Sequence, residues 1–235
     1  MPAGRHCSLL ISLLLWTAPP LRGQPPAGAA RAAIDHLILG INSLERGIRA
    51  FETLTGVTPR RGGEHPGAGT ENALVSLGGG DYLEILAPKP GATPTSFTLI
   101  TSLERLTPIG WAVHTDSLDV LIARLRAANL AVLGPFPGSR RTPDGNLLSW
   151  RTAHLSDAAL QAAPFLIEWG TGVTHPSATS PGGCRLTKLT IGEPSPSQLN
   201  AFFELLGMNP VAEPGATRGL TFTLECPRGN TTFSR

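Results

Sequence analysis

The same succession of segments occurs twice between residues 34 and 169: a strand, a helix, then three strands. Such a duplication constrains a fold more than any single propensity, because each copy must bury its apolar face against its neighbour. In the first copy, residues 34–41 read as a strand, and Asn42 with Glu45 makes a capping-box-like helix start. Leu44, Ile48, Phe51 and Leu54 keep helical spacing until Gly56 stops the helix. Strands are expected at 57–61, 72–77 and 82–87, the last two joined by the turn sequence Gly78-Gly79-Gly80-Asp81. The second copy opens with a strand at 109–115. Asp116 with Asp119 then starts a helix carrying Leu118, Leu121, Ile122 and Leu125, and Asn129 ends it. Strands follow at 131–134, 147–152 and 165–169, with Pro143-Asp144-Gly145-Asn146 as the turn between the first two.

A third run begins in the same way. Residues 185–191 read as a strand, and Ser195-Pro196-Ser197-Gln198 combines an N-cap, a proline at the first helical position and a capping-box glutamine. Leu199, Phe202, Phe203 and Leu206 supply an apolar face, Gly207 a stop, and residues 219–226 one further strand. This is either a third copy short of its last strand or a partial sheet added to the other two. Linkers fall at 89–94 and 174–183. The domain reading is therefore 34–177 for the duplicated unit, with halves at 34–88 and 108–170, and 178–235 for the partial third.

Residues 1–33 have a different character. Arg5 and His6 precede an apolar run at 7–16, followed by a Pro/Gly/Ala-rich stretch. The run is too short for a stable membrane span, which needs about 20 apolar residues. Its layout is that of an export signal cut after a small residue such as Ala18, giving a periplasmic or secreted protein. The alternative is a start assigned too far upstream of a cytoplasmic protein. The whole 235-residue chain, 41% hydrophobic and 15% charged, is rich enough in apolar residues to bury a large core. Nineteen basic against seventeen acidic residues leave a net charge of +2 with no dense Lys/Arg run, which argues against a nucleic-acid partner. Cys7, Cys184 and Cys226 are too widely spaced for a zinc knuckle. Cys184 and Cys226 are read as small core residues, with a disulfide between them as the alternative.

Several motifs carry a resemblance. The opening Asp35-His36-Leu37, the segment His65-Pro66-Gly67-Ala68-Gly69-Thr70-Glu71-Asn72, and Tyr82-Leu83-Glu84-Ile85 are similar to the vicinal oxygen chelate superfamily, in its glyoxalase-like branch. Asp144-Gly145 followed by Trp150, and Pro164-Phe165 to Glu168-Trp169 with His175-Pro176, resemble the second half of that branch. The resemblance implies an α+β fold. Tandem βαβββ half-modules would form a curved mixed-sheet cup with helices outside, plus the partial third βαββ run. It also implies a divalent metal in the cup, with ligands from the first and last strands of each half, and a cup formed within one chain or across a homodimer.

Period-two arithmetic can be laid over that expectation. Leu37, Leu39 and Ile41 share one face, so His36 points into the cup with Ile38 and Gly40. In the strand at 82–87, Leu83 and Ile85 face the helix and leave Tyr82, Glu84 and Leu86 inside. In the strand at 165–169, Phe165, Ile167 and Trp169 form the apolar face and Glu168 the opposite one. The expected metal ligands are therefore His36, Glu84 and Glu168, with Glu84 and Glu168 also the catalytic carboxylates. Aligning the copies puts Gly110 opposite His36, and His114 one pleat further on near the rim. His65, Thr70, Asn72, Tyr82, His114 and Trp150 are the candidate substrate contacts.

Two carboxylates in an apolar cup repel unless a cation lies between them or one takes up a proton. One imidazole and two carboxylates suit Mn, Fe, Ni, Co or Zn with open positions for a small-molecule ligand. The chemistry implied is that of a metal-dependent lyase or isomerase acting on a small oxygenated metabolite. The alternative is a metal-free sequestering protein like the bleomycin-resistance members of the superfamily. An extradiol dioxygenase fits less well, since its second histidine is missing.

Overall fold

The structure, a computed structural model, describes residue 1 and residues 32–157, 160–209 and 211–235. The export signal expected within residues 1–33 thus lies almost wholly outside the described residues. The first half runs β1 (Ala33–Gly40), α1 (Leu44–Thr55), β2 (Arg60–His65), β3 (Thr70–Gly78) and β4 (Asp81–Pro88). The second runs β5 (Thr107–His114), α2 (Leu118–Ala127), β6 (Val132–Arg141), β7 (Leu147–Leu155) and β8 (Phe165–Trp169). Within each half the first strand lies parallel to the fourth and the others follow antiparallel. Antiparallel pairing of β1 with β5, and a single pairing of Glu64 with Arg141 between β2 and β6, close a barrel in the order β1-β4-β3-β2-β6-β7-β8-β5.

The helices form because their apolar residues recur at helical spacing and their ends are punctuated. Ser43, rather than Asn42, caps α1 by accepting from the Arg46 amide, and Gly56 ends the helix at φ 80, a left-handed conformation that glycine adopts at no steric cost. The α1 helix covers the outward face of β1, β3 and β4, where Leu37, Leu39, Ala73, Val75, Leu83 and Ile85 are fully buried. Burying each of the larger of these contributes about 1.5–3 kcal/mol. Strand β6 reaches seven residues past the expected residue 134. Gly134, Pro135, Pro137 and Gly138 give it the composition of a loop, which a strand tolerates only where few ladder bonds are asked of it.

After the short helix α3 (Pro176–Thr179), the chain forms β9 (Arg185–Glu193), α4 (Pro196–Leu205), β10 (Ala212–Pro214), β11 (Gly219–Cys226) and β12 (Gly229–Ser234). The last strand, not expected from the sequence, pairs with β11 as a hairpin across Pro227-Arg228. The sheet order is β10-β9-β11-β12, so β9 sits between two neighbours instead of at the edge occupied by the first strand of each half-module. This unit packs on the barrel's outer side: Phe203 lies against Trp111 at 5.7 Å, and Phe233 stacks on Phe51 at 6.0 Å between centroids. Cys184 and Cys226 are bonded, contrary to their reading as separate core residues. The pairing of Arg185 with Glu225 across β9 and β11 places the two flanking cysteines side by side. A loop closed over 42 residues stabilises the unit by about 4 kcal/mol in the chain-entropy picture. Among the described residues no helix is long and apolar enough to cross a membrane.

Candidate active site

The barrel encloses a cavity of about 580 Å³. Its walls come from the even-numbered residues of β1, β3, β4 and β7, as the pleat requires, together with odd-numbered residues of β8 and consecutive residues 137–140 of β6. His36 and Ile38 of β1, Tyr82, Glu84 and Leu86 of β4, and Thr70 and Asn72 of β3 line one side. Trp150, Thr152 and His154 of β7 and Phe165, Ile167 and Trp169 of β8 line the other. Phe97, ahead of a 3-10 turn at Thr98–Ser102, closes one edge.

The polar side is organised by Asp35. The pairing of β1 with β5 shifts register between Ile34 and His36, so Asp35 has no opposite residue, and a bulge of this kind re-aims the side chains around it. The Asp35 carboxylate is fully buried. It lies 2.6 Å from His36 Nδ1, accepts a bond from Trp169 Nε1 at 2.9 Å, and lies 3.2 Å from His175 Nε2. Burial alone would raise the pKa of this carboxyl; the bonds from His175, His36 and Trp169 outweigh it and hold the group well below the usual carboxylate range. An ionised Asp35 fixes the His36 proton on Nδ1 and leaves Nε2 directed at the cavity. There Nε2 stands 3.7 Å from Glu84 Oε2. The ring is clamped between Tyr82, stacked at 4.6 Å, and Phe165, edge-on at 5.5 Å.

Glu84 is nine-tenths buried and accepts from Asn72 Nδ2 at 2.7 Å through Oε1. His65 Nε2 stands 4.0 Å from the same oxygen, while its Nδ1 lies 3.0 Å from Thr70 Oγ1. Burial, with Arg140 and His36 nearby, outweighs the pull of Glu84 and lowers His65 below the ordinary histidine value, so it is neutral at pH 7. Burial and the carboxylates Asp35 and Glu84 raise the Tyr82 phenol well above its usual value, so it keeps its proton. Asn72 Oδ1, lying against Gly62, has no hydrogen-bond partner among the described residues.

Of the residues expected at the site, His36, Glu84, His65, Thr70, Asn72, Tyr82 and Trp150 all line the cavity. His114, paired with Ala33 at the end of β5, does not. Glu168 does not either. It points out of the barrel, accepts from the Leu118 amide at the start of α2 at 3.1 Å, and pairs with Arg151. The expectation erred because it assigned the apolar set Phe165, Ile167 and Trp169 to the helix side. In fact Leu166 is the residue buried under the helices, and the three larger side chains form the cavity wall. Parity separates two faces of a strand without saying which is inside, and an apolar cavity defeats the rule that apolar means core.

The metal site expected from His36, Glu84 and Glu168 is therefore not assembled. The second half offers Gly110, Phe165 and Ile167 at its inward positions, none of them a donor, and among the described residues no three His, Cys, Asp or Glu side chains are grouped to hold a metal ion. A fixed cation, Arg140, instead lies close enough to Glu84 for their charges to interact. Arg140, three residues ahead of the turn that begins at Pro143, is 4% exposed, lines the cavity and donates to the Gly62 carbonyl. Its burial was hidden because β6 continues where the sequence suggests a loop. Asp35 and His175 were present in the quoted motifs without a role; only the register shift in β1 reveals theirs.

Residues 34–207 match the glyoxalase-like domain family. No curated protein sequence matches the chain. Among solved structures, a hypothetical protein from Staphylococcus aureus superposes with a TM-score of 0.61 at 17% identity, covering 86% of this chain and 85% of that one. This likeness is one of fold. Methylmalonyl-CoA epimerases superpose less closely. The Mycobacterium tuberculosis enzyme does so with a TM-score of 0.43 at 15% identity over 58% of this chain and 85% of that one. A Streptomyces coelicolor variant reaches 0.45 at 20% identity over 61% and 98%. With a family match across most of its length and two βαβββ units closed around a cavity, the chain belongs to the glyoxalase-like domain family of the vicinal oxygen chelate superfamily.

Proposed function

We propose that the cavity is the acid–base site of an isomerase- or lyase-type enzyme acting on a small oxygenated metabolite. The observation that carries this reading is the 2.6 Å contact of Asp35 with His36 Nδ1, which presents Nε2 to the cavity opposite Glu84. A buried carboxylate behind an imidazole fixes its tautomer and its orientation, which is what proton abstraction next to a carbonyl demands. Neutral His65, protonated Tyr82 and the Arg140 guanidinium are the groups available to stabilise oxygen charge that develops as the proton leaves. No step is assigned to a divalent metal, because the donors expected for one do not converge.

A second reading has its own observation. The aromatic wall of Phe165, Trp150 and Trp169 favours a binding protein that holds its ligand without turnover. One experiment separates the two. Purified protein, with and without added Mn, Fe, Ni, Co or Zn, is incubated in D₂O with a panel of 2-hydroxy and 2-oxo acids and aldehydes, and α-proton exchange is followed by NMR. Exchange in wild type without added metal, lost in His36→Gln and Glu84→Gln, supports the acid–base reading. Binding of panel members without exchange under any condition supports the second. Exchange that appears only with metal overturns the metal-free form of the proposal.

A further inference from the structure

Arg140 poses a problem that the acid–base reading does not solve. Its side chain is 4% exposed, yet among the described residues no carboxylate lies within ion-pair distance of it. Its one hydrogen bond goes to the Gly62 carbonyl through Nη1. A guanidinium carries five donors and cannot be deprotonated in a protein, so the remaining donors face the cavity at full charge, with Glu84 near enough for their charges to interact but not paired with them. Buried charges of this kind are costly unless paired, and breaking a buried pair costs far more than forming it gains. Among the described residues the polar neighbours do not bond to these donors. Glu84 is already held by Asn72 and faces His36, and Tyr82 keeps its proton. The cavity continues from Arg140 past Gly138 to Trp150 and on to Phe165.

We propose that Arg140 is the anchor for a ligand carboxylate, and that the cavity takes a small carboxylic acid with a flat apolar body lying along Trp150 and Phe165. One free edge of a guanidinium matches one carboxylate fork. The nearby Glu84 charge disfavours a dianion such as a phosphate ester. The body is specified by the wall. His154 stacks on Phe165 at 5.5 Å with 27° between the rings, and burial lowers it below the ordinary histidine value, so the wall at that end is uncharged. The inference rests on the acid–base reading only for the position of the ligand relative to His36.

The test uses the full-length protein and its own tryptophan fluorescence, since Trp150 and Trp169 border the cavity. Benzoylformate is the probe and its primary amide the neutral control, the two differing only in the charged group. In wild type the carboxylate is expected to bind about tenfold or more tightly than the amide. Arg140→Met should bring the two within about twofold, and Arg140→Lys should keep part of the preference. Equal affinity of the two probes in wild type, failure of both to bind, or a preference unchanged in Arg140→Met would each overturn the proposal. The wild-type comparison needs no variant, so misfolding of Arg140→Met would not shield the idea. The D₂O exchange panel separates this from the acid–base reading: a preference for benzoylformate in a wild type that exchanges no protons keeps this inference and removes that one, and exchange without the preference does the reverse.

Discussion

The two halves of the barrel share a backbone plan and differ on the inside. In the first, the inward positions of β1, β3 and β4 carry His36, Asn72, Tyr82 and Glu84; in the second, β5 and β8 offer Gly110, Ala112, Phe165, Ile167 and Trp169. One half thus supplies proton-handling groups, and the other supplies an apolar wall with a single cation, Arg140, at its side. The duplicated pattern specifies where strands and helices go, because that depends on the face under the helices. It says nothing about the inner face, where the halves are free to diverge. They are not independent, however. Trp169 of β8 donates to Asp35 of β1, so the wall helps hold the carboxylate that orients the base.

The largest expected effect lies on the polar side. His36→Gln should lower proton exchange by about 10²–10⁴-fold with little change in melting temperature, and Asp35→Asn should follow it, having lost the fixed tautomer. Retained exchange in His36→Gln would remove the polar half from the chemistry. Next comes an attempt to make the halves alike. Ile167→Glu places a carboxylate in the wall with no donor to meet it and should cost about 3 kcal/mol in urea denaturation at pH 7. If the variant instead bound a divalent ion tightly and lost nothing in stability, the second half would be a metal site one substitution short. Glu168→Gln is expected to leave exchange within about twofold, since the side chain lies outside the barrel. A loss of a hundredfold would return it to the chemistry.

The smallest effect concerns Asp81, at the start of β4. Burial, with Asp35 nearby, pushes its carboxyl from 3.8 up to about 6. A raised value means that the folded state holds the proton more tightly than the unfolded one. The contribution is therefore full below about pH 4 and is lost as pH rises through about 6. Because the group is partly exposed, solvent screening limits this to no more than about 1 kcal/mol. Asp35 slopes the other way, its lowered value stabilising the fold above the usual carboxylate range and failing only in stronger acid. Denaturation midpoints at pH 4.5 and 7.5 should converge in Asp81→Asn; an unchanged difference would place the titration elsewhere.

Much of the fold was legible in the sequence because helix stops and turns are chemical. Gly56, Asn129 and Gly207 stand at helix ends in left-handed conformations, as their types suggest. The short C-terminal strand β12, with few large apolar residues, gave no such signal. At the site, alternation in β1 and β4 put His36 and Glu84 on the cavity face, because Leu37, Leu39, Leu83 and Ile85 on the opposite face are large, apolar and fully buried. It failed in β8, where both faces carry large apolar side chains and the single acidic residue drew the eye. Asp35 and Arg140 were beyond reach for a different reason. The role of each follows from a departure from regularity, a register shift in one case and a Gly/Pro-rich strand in the other.

That second departure matters for how the barrel holds together. Seven of the eight contacts between neighbouring strands are ladders of several residues, and the eighth, between β2 and β6, is the single pairing of Glu64 with Arg141. Arg140 donating to Gly62 spans the same seam. The wall is therefore continuous in topology and discontinuous in mechanics, closed along most of its circumference by backbone and along one line by little more than a side chain. Local opening costs least where the fewest hydrogen bonds must break, so amide exchange should be fastest along this line. A ligand whose carboxylate replaced solvent at Arg140 would also fasten the seam.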